Sequence, residues 1–339
     1  MKKWFLKVPF IFDKSGECIV FAKPPFKIRN GEKHVADFIK SLKKGITEQE
    51  LNLYLQKPSC KFCFQSLQSR QLVVCQNVIE NQHPVYQRTL SYLHSITSDS
   101  HLAWKEIQSA KIAILGCGGT GSLVAENLIA MGVQHLSLID GDEVEPSNLN
   151  RQILFTQEDC GKPKVDCLRN HLLERVPEVS IYSHRTWIED KSSLEKVLEE
   201  DISFLVVCYD QPPILSQLWS LEIAMRRQIP CMMGGVGNHW GSWGPLLAIY
   251  EHQENYYQYL SSLNEIYMSD SESTVSGSLC ATNQMIAAGM SLDIFHFLCK
   301  DVVVHSFGKK VCLNFNNLQF NYLDFTHEKR DANSLFTST

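Results

Sequence analysis

The sequence of 339 residues contains no apolar run near the roughly 20 residues that a membrane-spanning helix needs. Its first residues, MKKWFLKVPFIFDKSGE, lack a small-residue cleavage site, and Lys7, Pro9 and Asp13 interrupt their apolar stretch. We therefore expect a β-strand there, with neither a signal peptide nor a membrane anchor. The net charge of -5 gives no general attraction to nucleic acid or to anionic membranes.

Paired cysteine motifs are scarce as well. The only Cys-x-x-Cys motif joins Cys60 and Cys63, and no second pair completes the four ligands of a zinc site. Two thiols one helical turn apart explain this spacing without a metal. The 12 cysteines are scattered along the chain rather than arranged as a disulfide framework. We therefore expect reduced thiols and a cytoplasmic location.

The first 85 residues begin with the pattern of a small sheet. Trp4 to Phe12 and Cys18 to Ala22 predict a hairpin, because turn residues separate two largely apolar runs. Phe26 to Arg29 predicts a third short strand, and Val73 to Cys75 predicts a wing strand.

Three short helices are predicted between these strands. The segment HVADFIKSLKKG has apolar residues at helical spacing, and Thr47 and Glu50 form a capping box that begins a second helix. Phe62 to Leu72 predicts the third helix. This order indicates a winged-helix-like α+β domain over residues 1–85. The third helix is not strongly basic, which disfavours DNA binding.

After a helical connector that begins at residue 86, apolar strands alternate with amphipathic helices. The strand segments include KIAILG, HLSLID, FLVVCYD and IPCMMGGVG. Such alternation is typical of an α/β domain in which helices cover a parallel sheet. We therefore predict a Rossmann-like, doubly wound and mostly parallel sheet over residues 86–339.

A glycine-rich turn follows the first of these strands. Gly116, Gly118 and Gly121 fit G-x-G-x-x-G, in which the glycines permit a tight turn, phosphate approach and helix–strand packing. Asp140 ends the next strand, where a carboxylate can accept a hydrogen bond from a ribose hydroxyl. Nicotinamide and flavin enzymes share these features, so they indicate a nucleotide without identifying it.

The residues that follow favour a nucleoside triphosphate. Asp142 is followed by the polar segment NLNRQ, and GKPK then adds Lys162 and Lys164. A triphosphate carries more negative charge than a dinucleotide pyrophosphate, and it requires nearby cations and a carboxylate that holds magnesium. Asp210 ends FLVVCYD at the carboxyl edge of the predicted sheet, where ligands bind in open α/β folds.

In this order, GCGGTGS, LIDGDEVEPSNLNRQ, GKPKVDCL and VVCYDQ resemble the E1-like (ThiF/MoeB/HesA) adenylyltransferase superfamily. The resemblance implies a homodimer that uses ATP and Mg²⁺ to adenylylate a carboxylate and releases pyrophosphate. It implies that Asp140 holds the ribose, that Asp210 holds the metal, and that Arg88 reaches into a neighbouring protomer's site. The implied nucleotide-binding residues are Gly116, Gly118, Gly119, Gly121, Asp140, Asp142, Asn150, Arg151, Gln152 and Lys164. The implied catalytic residues are Arg88, Arg151, Lys164 and Asp210.

The sequence departs from many family members in its cysteines. Their structural zinc is bound by two Cys-x-x-Cys pairs, whereas IYEHQENYYQYL has no cysteine and only Cys280 and Cys299 follow in the next part of the chain. We therefore expect no structural zinc, and we expect a crossover loop at about 255–278. Adenylation needs no side-chain nucleophile, so Cys117 and Cys208 are interpreted as packing residues.

The N-terminal block is a second departure, because sulfur-carrier activators usually begin near the Arg88 segment. The block resembles the domain that binds leader peptides in family members acting on ribosomally made precursors, such as those of microcin C and pantocin A. A leader would add as a strand to the edge of its sheet. The implied partner is therefore a precursor peptide.

We thus expect modification of a ribosomally made peptide in antibiotic biosynthesis. A peptide carboxylate would be adenylylated, in particular Glu side chains followed by cyclisation, as in pantocin A biosynthesis. Expected substrate contacts are Asn238, His239, Trp240 and Trp243, and His239 is also a candidate general base, although packing or surface exposure explains it more simply. The alternatives are activation of the C-terminus of a ubiquitin-like sulfur carrier, a non-catalytic scaffold that presents leader peptides, and, more distantly, a nicotinamide oxidoreductase.

Overall fold

The chain divides into two units, each with its own buried apolar core. The computed structural model describes residues 1–12, 18–22, 24–28, 33–79, 84–267 and 277–327. The first unit comprises residues 1–106 together with 299–302, and the second comprises 107–298 with 303–339. The functional boundary expected at residue 85 stays a prediction.

The first part of the chain begins with four short strands, which are followed by helices and one further strand. In order they are β1 (Lys2–Leu6), β2 (Phe10–Phe12), β3 (Cys18–Val20), β4 (Phe26–Ile28), α1 (Lys33–Lys44), α2 (Glu48–Leu55), α3 (Pro58–Ser69), β5 (Val73–Asn77), α4 (Gln87–Ile96) and α5 (Ser100–Ser109). Strands β2, β3 and β4 form an antiparallel three-stranded sheet. The predicted hairpin is therefore confirmed, although its turn lies outside the described residues.

The single strand expected from Trp4 to Phe12 is wrong, because the chain changes sheets near Pro9. Strand β1 pairs with β5 and not with β2, so the segment predicted as a wing lies in a separate two-stranded sheet. Proline has no N–H to donate to a ladder. On one side of this change, Lys7 N donates to Leu72 O at 2.9 Å, next to β5. On the other side, Pro9 O accepts a hydrogen bond from Phe21 N at 3.0 Å, next to β3.

Local signals in the helices of this unit are confirmed. Thr47 N donates to Glu50 Oε2 at 2.7 Å and Glu50 N donates to Thr47 Oγ1 at 3.2 Å, which completes the capping box of α2. Cys60 and Cys63 lie one turn apart on α3, and both are buried in the core. Burial raises the pKa of Cys63 to about 12. The two thiols are therefore packing residues, in agreement with the interpretation of their spacing.

The second part of the chain is an α/β domain. Its elements are β6 (Lys111–Leu115), α6 (Gly119–Met131), β7 (His135–Ile139), α7 (Lys164–Arg175), β8 (Ser180–His184), α8 (Lys191–Val197), β9 (Phe204–Val207), α9 (Leu215–Arg227), β10 (Cys231–Val236), β11 (Trp240–Leu247), α10 (Tyr250–Tyr267), α11 (Cys280–Leu298), β12 (Lys309–Asn314) and β13 (Phe320–Asp324). The sheet order is β13-β12-β11-β10-β9-β6-β7-β8.

Five neighbouring strands of this sheet, from β10 to β8, are parallel, and β11, β12 and β13 extend it in antiparallel fashion. The predicted fold class is confirmed. The chain runs from β6 outward to β7 and β8, and then returns to β9 on the other side of β6. This reversal is a topological switch point, where open α/β sheets bind ligands beyond the carboxyl ends of their strands.

The expected crossover segment at about 255–278 is helical, rather than a loop, through Tyr267. The cause is a buried aromatic stripe, because Tyr256 and Tyr259 of α10 pack on Phe325 with ring centroids 4.9 and 5.3 Å away. Residues 268–276 lie outside the described residues. Within the described ranges, no helix is long and apolar enough to cross a membrane.

Candidate nucleotide site

Two glycines bring the strand β6 and the helix α6 into backbone contact. A Cβ atom at Gly121 would lie 1.9 Å from the carbonyl oxygen of Gly116, so only glycine permits this approach. Gly116 has φ +88°, and a Cβ there would lie 2.8 Å from backbone atoms of Cys208 and Tyr209. The glycine turn is thus fitted between α6 and the segment after β9.

Gly118 differs from these two glycines, because its neighbourhood is open. A Cβ at Gly118 would have only the Gln152 side chain within 4 Å, at an ordinary 3.6 Å. The helix α6 begins directly after it. A helix N-terminus favours an anion such as a phosphate, and the space beside Gly118 leaves room for one.

Asp140 closes this turn from the end of β7. Its Oδ2 accepts a hydrogen bond from Cys117 N at 2.7 Å, and its Oδ1 accepts one from Asp142 N at 2.8 Å. Burial raises the pKa of the Asp140 carboxyl above its usual range, and the nearby Lys164 charge opposes that shift. The carboxylate therefore links the glycine turn to the turn after β7.

Lys164, at the start of α7, is the buried cation of the site. The residue is only 5% exposed, and its Nζ donates to Asp142 Oδ2 at 2.6 Å. Its backbone N–H donates to Asp142 O at 3.0 Å, so main chain and side chain both hold the residue in place. Because this pairing fixes the ammonium group in place, the group is already positioned when an anionic ligand binds.

The segment NLNRQ brings one further unusual side chain to the glycine turn. Gln152 is 4% exposed, and its Oε1 has no hydrogen-bond partner among the residues described. Its amide nitrogen faces Gly118. This oxygen is therefore available to accept a hydrogen bond from a group that binds at the turn.

The other basic residues that the sequence placed at the site are less buried than Lys164. The Arg151 guanidinium donates to Ser147 O at 2.9 Å and to Asn150 Oδ1 at 3.1 Å, so it rests on its own turn. Lys162 is exposed, and its Nζ lies 3.9 Å from Asp159 Oδ1. Arg88 lies exposed on α4 in the other unit. The roles of Arg88 and Arg151 stay predictions.

Asp210 is exposed three residues beyond the end of β9. Its segment begins beside the glycine turn, because the backbone of Cys208 and Tyr209 contacts Gly116. In the described part of the chain, no group of three or more metal-ligating side chains comes together. One carboxylate fits magnesium nonetheless, because Mg²⁺ commonly takes one or two carboxylates plus the phosphates of its substrate.

The environment of the two thiols near the site disfavours their thiolate forms. Burial raises the pKa of Cys208 to about 12, and burial with the nearby Asp140 charge moves the pKa of Cys117 well above its usual range. A protonated thiol is a poor nucleophile. Their interpretation as packing residues agrees with the structure.

The expected substrate contacts separate into two groups. Asn238, His239 and Trp240 are exposed around the turn between β10 and β11. Trp243 is 9% exposed, and its indole N–H donates to the buried Asp293 Oδ2 at 3.0 Å. The expectation that Trp243 contacts substrate is therefore wrong, because the strand alternation that exposes Trp240 turns Trp243 inward.

One residue at the glycine turn was not found from sequence. Asn283 of α11 is buried, and its Oδ1 accepts a hydrogen bond from Thr120 Oγ1 at 3.0 Å. A Cβ at Gly119 would lie 2.6 Å from the same oxygen. Asn283 thus holds the start of α6, and no local pattern connects residues so far apart in the chain.

The glycine turn, the buried Lys164 and the switch point define a nucleotide-binding α/β protein. The chain matches the ThiF family over residues 86–335, and it therefore belongs to that family. The resemblance seen in the sequence motifs is confirmed.

Curated relatives match over limited stretches. The chain is 43% identical over 81 residues to the NEDD8-activating enzyme E1 catalytic subunit of Arabidopsis thaliana, across 24% of this chain and 18% of that protein. It is 32% identical over 124 residues to the adenylyltransferase and sulfurtransferase MOCS3 of Drosophila yakuba, across 37% of this chain and 27% of that protein. The chain thus spans less than a third of these relatives.

Solved structures match over nearly the whole chain. MccB of E. coli with ATP has a TM-score of 0.74 at 23% identity, and the match covers 96% of this chain and 97% of that chain. The microcin C7 biosynthetic enzyme MccB with N-formylated MccA has a TM-score of 0.75 at 22% identity, with 98% and 100% covered. PaaA has a TM-score of 0.67 at 20% identity, with 94% and 98% covered. At these identities the likeness shows a shared fold.

We expect two glycine substitutions to have different effects. Gly121→Ala forces its Cβ against the Gly116 carbonyl, so it should lower the melting temperature by several degrees or prevent folding. Gly118→Ala should leave the melting temperature unchanged but weaken ATP binding, because its methyl group occupies the approach to the turn amides. Thermal unfolding and calorimetric titration with ATP would measure both. Equal loss of stability in the two variants would contradict the different roles assigned to these glycines.

ATP affinity should depend on pH through Asp140. Because its pKa is raised, the Asp140 carboxylate, which is predicted to accept from ribose, becomes protonated at a higher pH than an ordinary aspartate, and ATP should bind more weakly as the pH falls. The effect on folding has the opposite sign, since a raised carboxyl pKa favours the folded state at low pH and that contribution is lost as the pH rises. Titration calorimetry at stepped pH would measure the affinity. Asp140→Asn is the control and should bind weakly with a flatter profile. An unchanged profile in that variant would rule out this role.

Proposed function

We propose that this protein adenylylates a carboxylate of a ribosomally made precursor peptide with ATP and Mg²⁺. The observation that carries this proposal is the buried Lys164, held by Asp142 beside Asp140 and the glycine turn. A buried cation beside open backbone amides is suited to the phosphates of a nucleotide. The family membership and the structural match to MccB, which has been solved with ATP and with MccA, support the same activity.

In the proposed reaction a peptide carboxylate oxygen attacks the α-phosphorus of ATP. A new bond forms between that oxygen and phosphorus, the bond to the β-phosphate oxygen breaks, and pyrophosphate leaves. Two anions approach each other in this step, so cations must offset their repulsion. Lys164 and Arg151 would face the phosphates, Asp140 would accept from the ribose, and Asp210 would hold the metal. Bound magnesium would withdraw charge from the phosphate oxygens.

The particular substrate we propose is a glutamate side chain of the peptide, followed by cyclisation. In that case a nitrogen or carbon nucleophile within the same peptide captures the acyl adenylate and AMP leaves. The exposed Asn238, His239 and Trp240 supply polar and aromatic surface for such a peptide. The first unit, with its three-stranded sheet, would hold the leader by strand addition at a sheet edge.

A second candidate is activation of the C-terminus of a ubiquitin-like sulfur carrier. It is favoured by the relatives named as MOCS3, which are adenylyltransferases and sulfurtransferases. A third candidate is a scaffold that presents leader peptides without chemistry. The paired, buried Lys164 argues against it, because a site that no longer binds nucleotide has no need of a buried charge.

Exchange of pyrophosphate into ATP tests these candidates. We expect exchange with a precursor peptide encoded beside the gene and none with a sulfur-carrier protein. Mass spectrometry of the peptide should then show loss of whole waters if cyclisation follows. Asp210→Ala should reduce exchange by at least about a hundredfold, since metal-assisted charge stabilisation is lost. Its matched control is Asp166→Ala, another exposed aspartate, which should retain activity.

Other outcomes would reassign the function. Exchange with the carrier alone would support the sulfur-carrier candidate, and leader binding without any exchange would support the scaffold. Full activity of Asp210→Ala would remove this residue from the metal site.

We also propose that the protein is a homodimer in which Arg88 completes the neighbouring protomer's site. Arg88→Ala and Asp210→Ala should each be inactive alone. If protomers exchange at random, an equal mixture should regain about a quarter of the sites, because half the dimers are mixed and each holds one intact site. Mixing Arg88→Ala with the double variant is the control and should stay inactive. No recovery in the first mixture would show that each site is built within one chain.

A further inference from the structure

The loop that follows β8 folds over the turn that follows β7. A Cβ atom at Gly141 would lie 2.6 and 2.7 Å from Cγ and Cδ1 of Trp187, so the indole rests directly on the backbone of this glycine. Arg185 Nη2 lies 2.5 Å from Glu143 Oε1, so an ion pair at the surface also links the same two segments. Gly141 stands between the two site carboxylates, Asp140 and Asp142.

The position of Trp187 is unusual for such a large apolar side chain. One side of the indole is covered by Gly141, yet Trp187 is 62% exposed. Scattered exposed apolar residues need no explanation. This one, however, is held in place beside the turn that carries the acceptor assigned to ribose, with much of its aromatic surface uncovered.

The sheet topology gives the direction in which a bound nucleotide extends. The glycine turn for phosphate follows β6, and Asp140 for ribose follows β7, the neighbouring strand. Neighbouring strands lie about 4.8 Å apart. A nucleotide with its phosphates at β6 and its ribose at β7 therefore places its base towards the end of β8. That strand ends at His184, three residues before Trp187.

We propose that Trp187 stacks on the nucleobase of ATP and that Gly141 is the position that makes room for its indole. This inference rests on the proposed nucleotide function and concerns a part of the site that the phosphate and ribose contacts leave open. Stacking on an aromatic ring tolerates any base, because every base has a π face. Trp187 therefore contributes affinity for nucleotides, and ATP and GTP should depend on it alike.

Calorimetric titration of Trp187→Ala with ATP, AMP and inorganic tripolyphosphate tests the proposal. The dissociation constants for ATP and AMP should rise about tenfold or more, within the range known for base–aromatic stacking. The affinity for tripolyphosphate should not change, because it has no base. Trp187→Phe should recover most of the affinity for ATP, since it restores a ring.

Two further variants strengthen the test. Tyr182→Ala removes an aromatic residue of similar exposure, 60%, from β8 itself and should leave ATP affinity unchanged. Gly141→Ala displaces the indole without removing it and should reproduce the loss seen for Trp187→Ala. Thermal unfolding of each variant shows whether the fold is retained. Because Trp187 is exposed, Trp187→Ala should have the same melting temperature as the unaltered protein.

The failures of the two proposals are distinguishable. If the unaltered protein binds ATP and Trp187→Ala binds it equally well, the stacking proposal is wrong and the nucleotide function stands. An equal loss of tripolyphosphate affinity in Trp187→Ala would also overturn stacking, because it would place the effect at the phosphates. If the unaltered protein binds no nucleotide, both proposals fail.

Discussion

The buried charge of Lys164 is the constraint on which the candidate site depends. An ammonium group removed from water is costly unless a carboxylate pairs with it, and Asp142 supplies that partner at 2.6 Å. The pair fixes the start of α7 against the turn after β7. Asp140, on the same turn, fixes the glycine turn through Cys117 N. The cation and the two carboxylates are thus positioned before any ligand arrives, which is the condition for electrostatic catalysis.

Close backbone contact positions the rest of the site, which consists of the glycine turn and the segment after β9. Gly116 and Gly121 let α6 and the segment after β9 approach β6 to distances that a Cβ would forbid. The same contact brings the segment leading to Asp210 to the edge of the glycine turn. From β9 to β8, successive strand ends therefore carry Asp210, the amides of the glycine turn, Asp140 and the indole of Trp187, to which we assign metal, phosphate, ribose and base in the proposed function.

Much of the fold and of the glycine turn could be predicted, because the sequence signals for them are local. The capping box of Thr47 and Glu50, the glycine spacing from Gly116 to Gly121 and the alternation of strands with helices each depend on neighbouring residues. The helix in place of the expected crossover loop was also predictable, since the stripe of Tyr256 and Tyr259 already has helical spacing. The sheet change at Pro9 was less accessible, because a proline shows where a ladder breaks but not which strand pairs next.

The sequence by itself determined the family and the α/β class, since these are encoded in ordered short motifs and in hydrophobic periodicity, and the same motifs predicted the residues assigned to a triphosphate. Only the tertiary structure decided which side chains meet across long chain separations. It turned Trp243 inward to Asp293, set Asn283 against Thr120, and laid Trp187 on Gly141. The physical reason is that such contacts follow from strand order and close packing of distant segments, neither of which leaves a local pattern in the sequence.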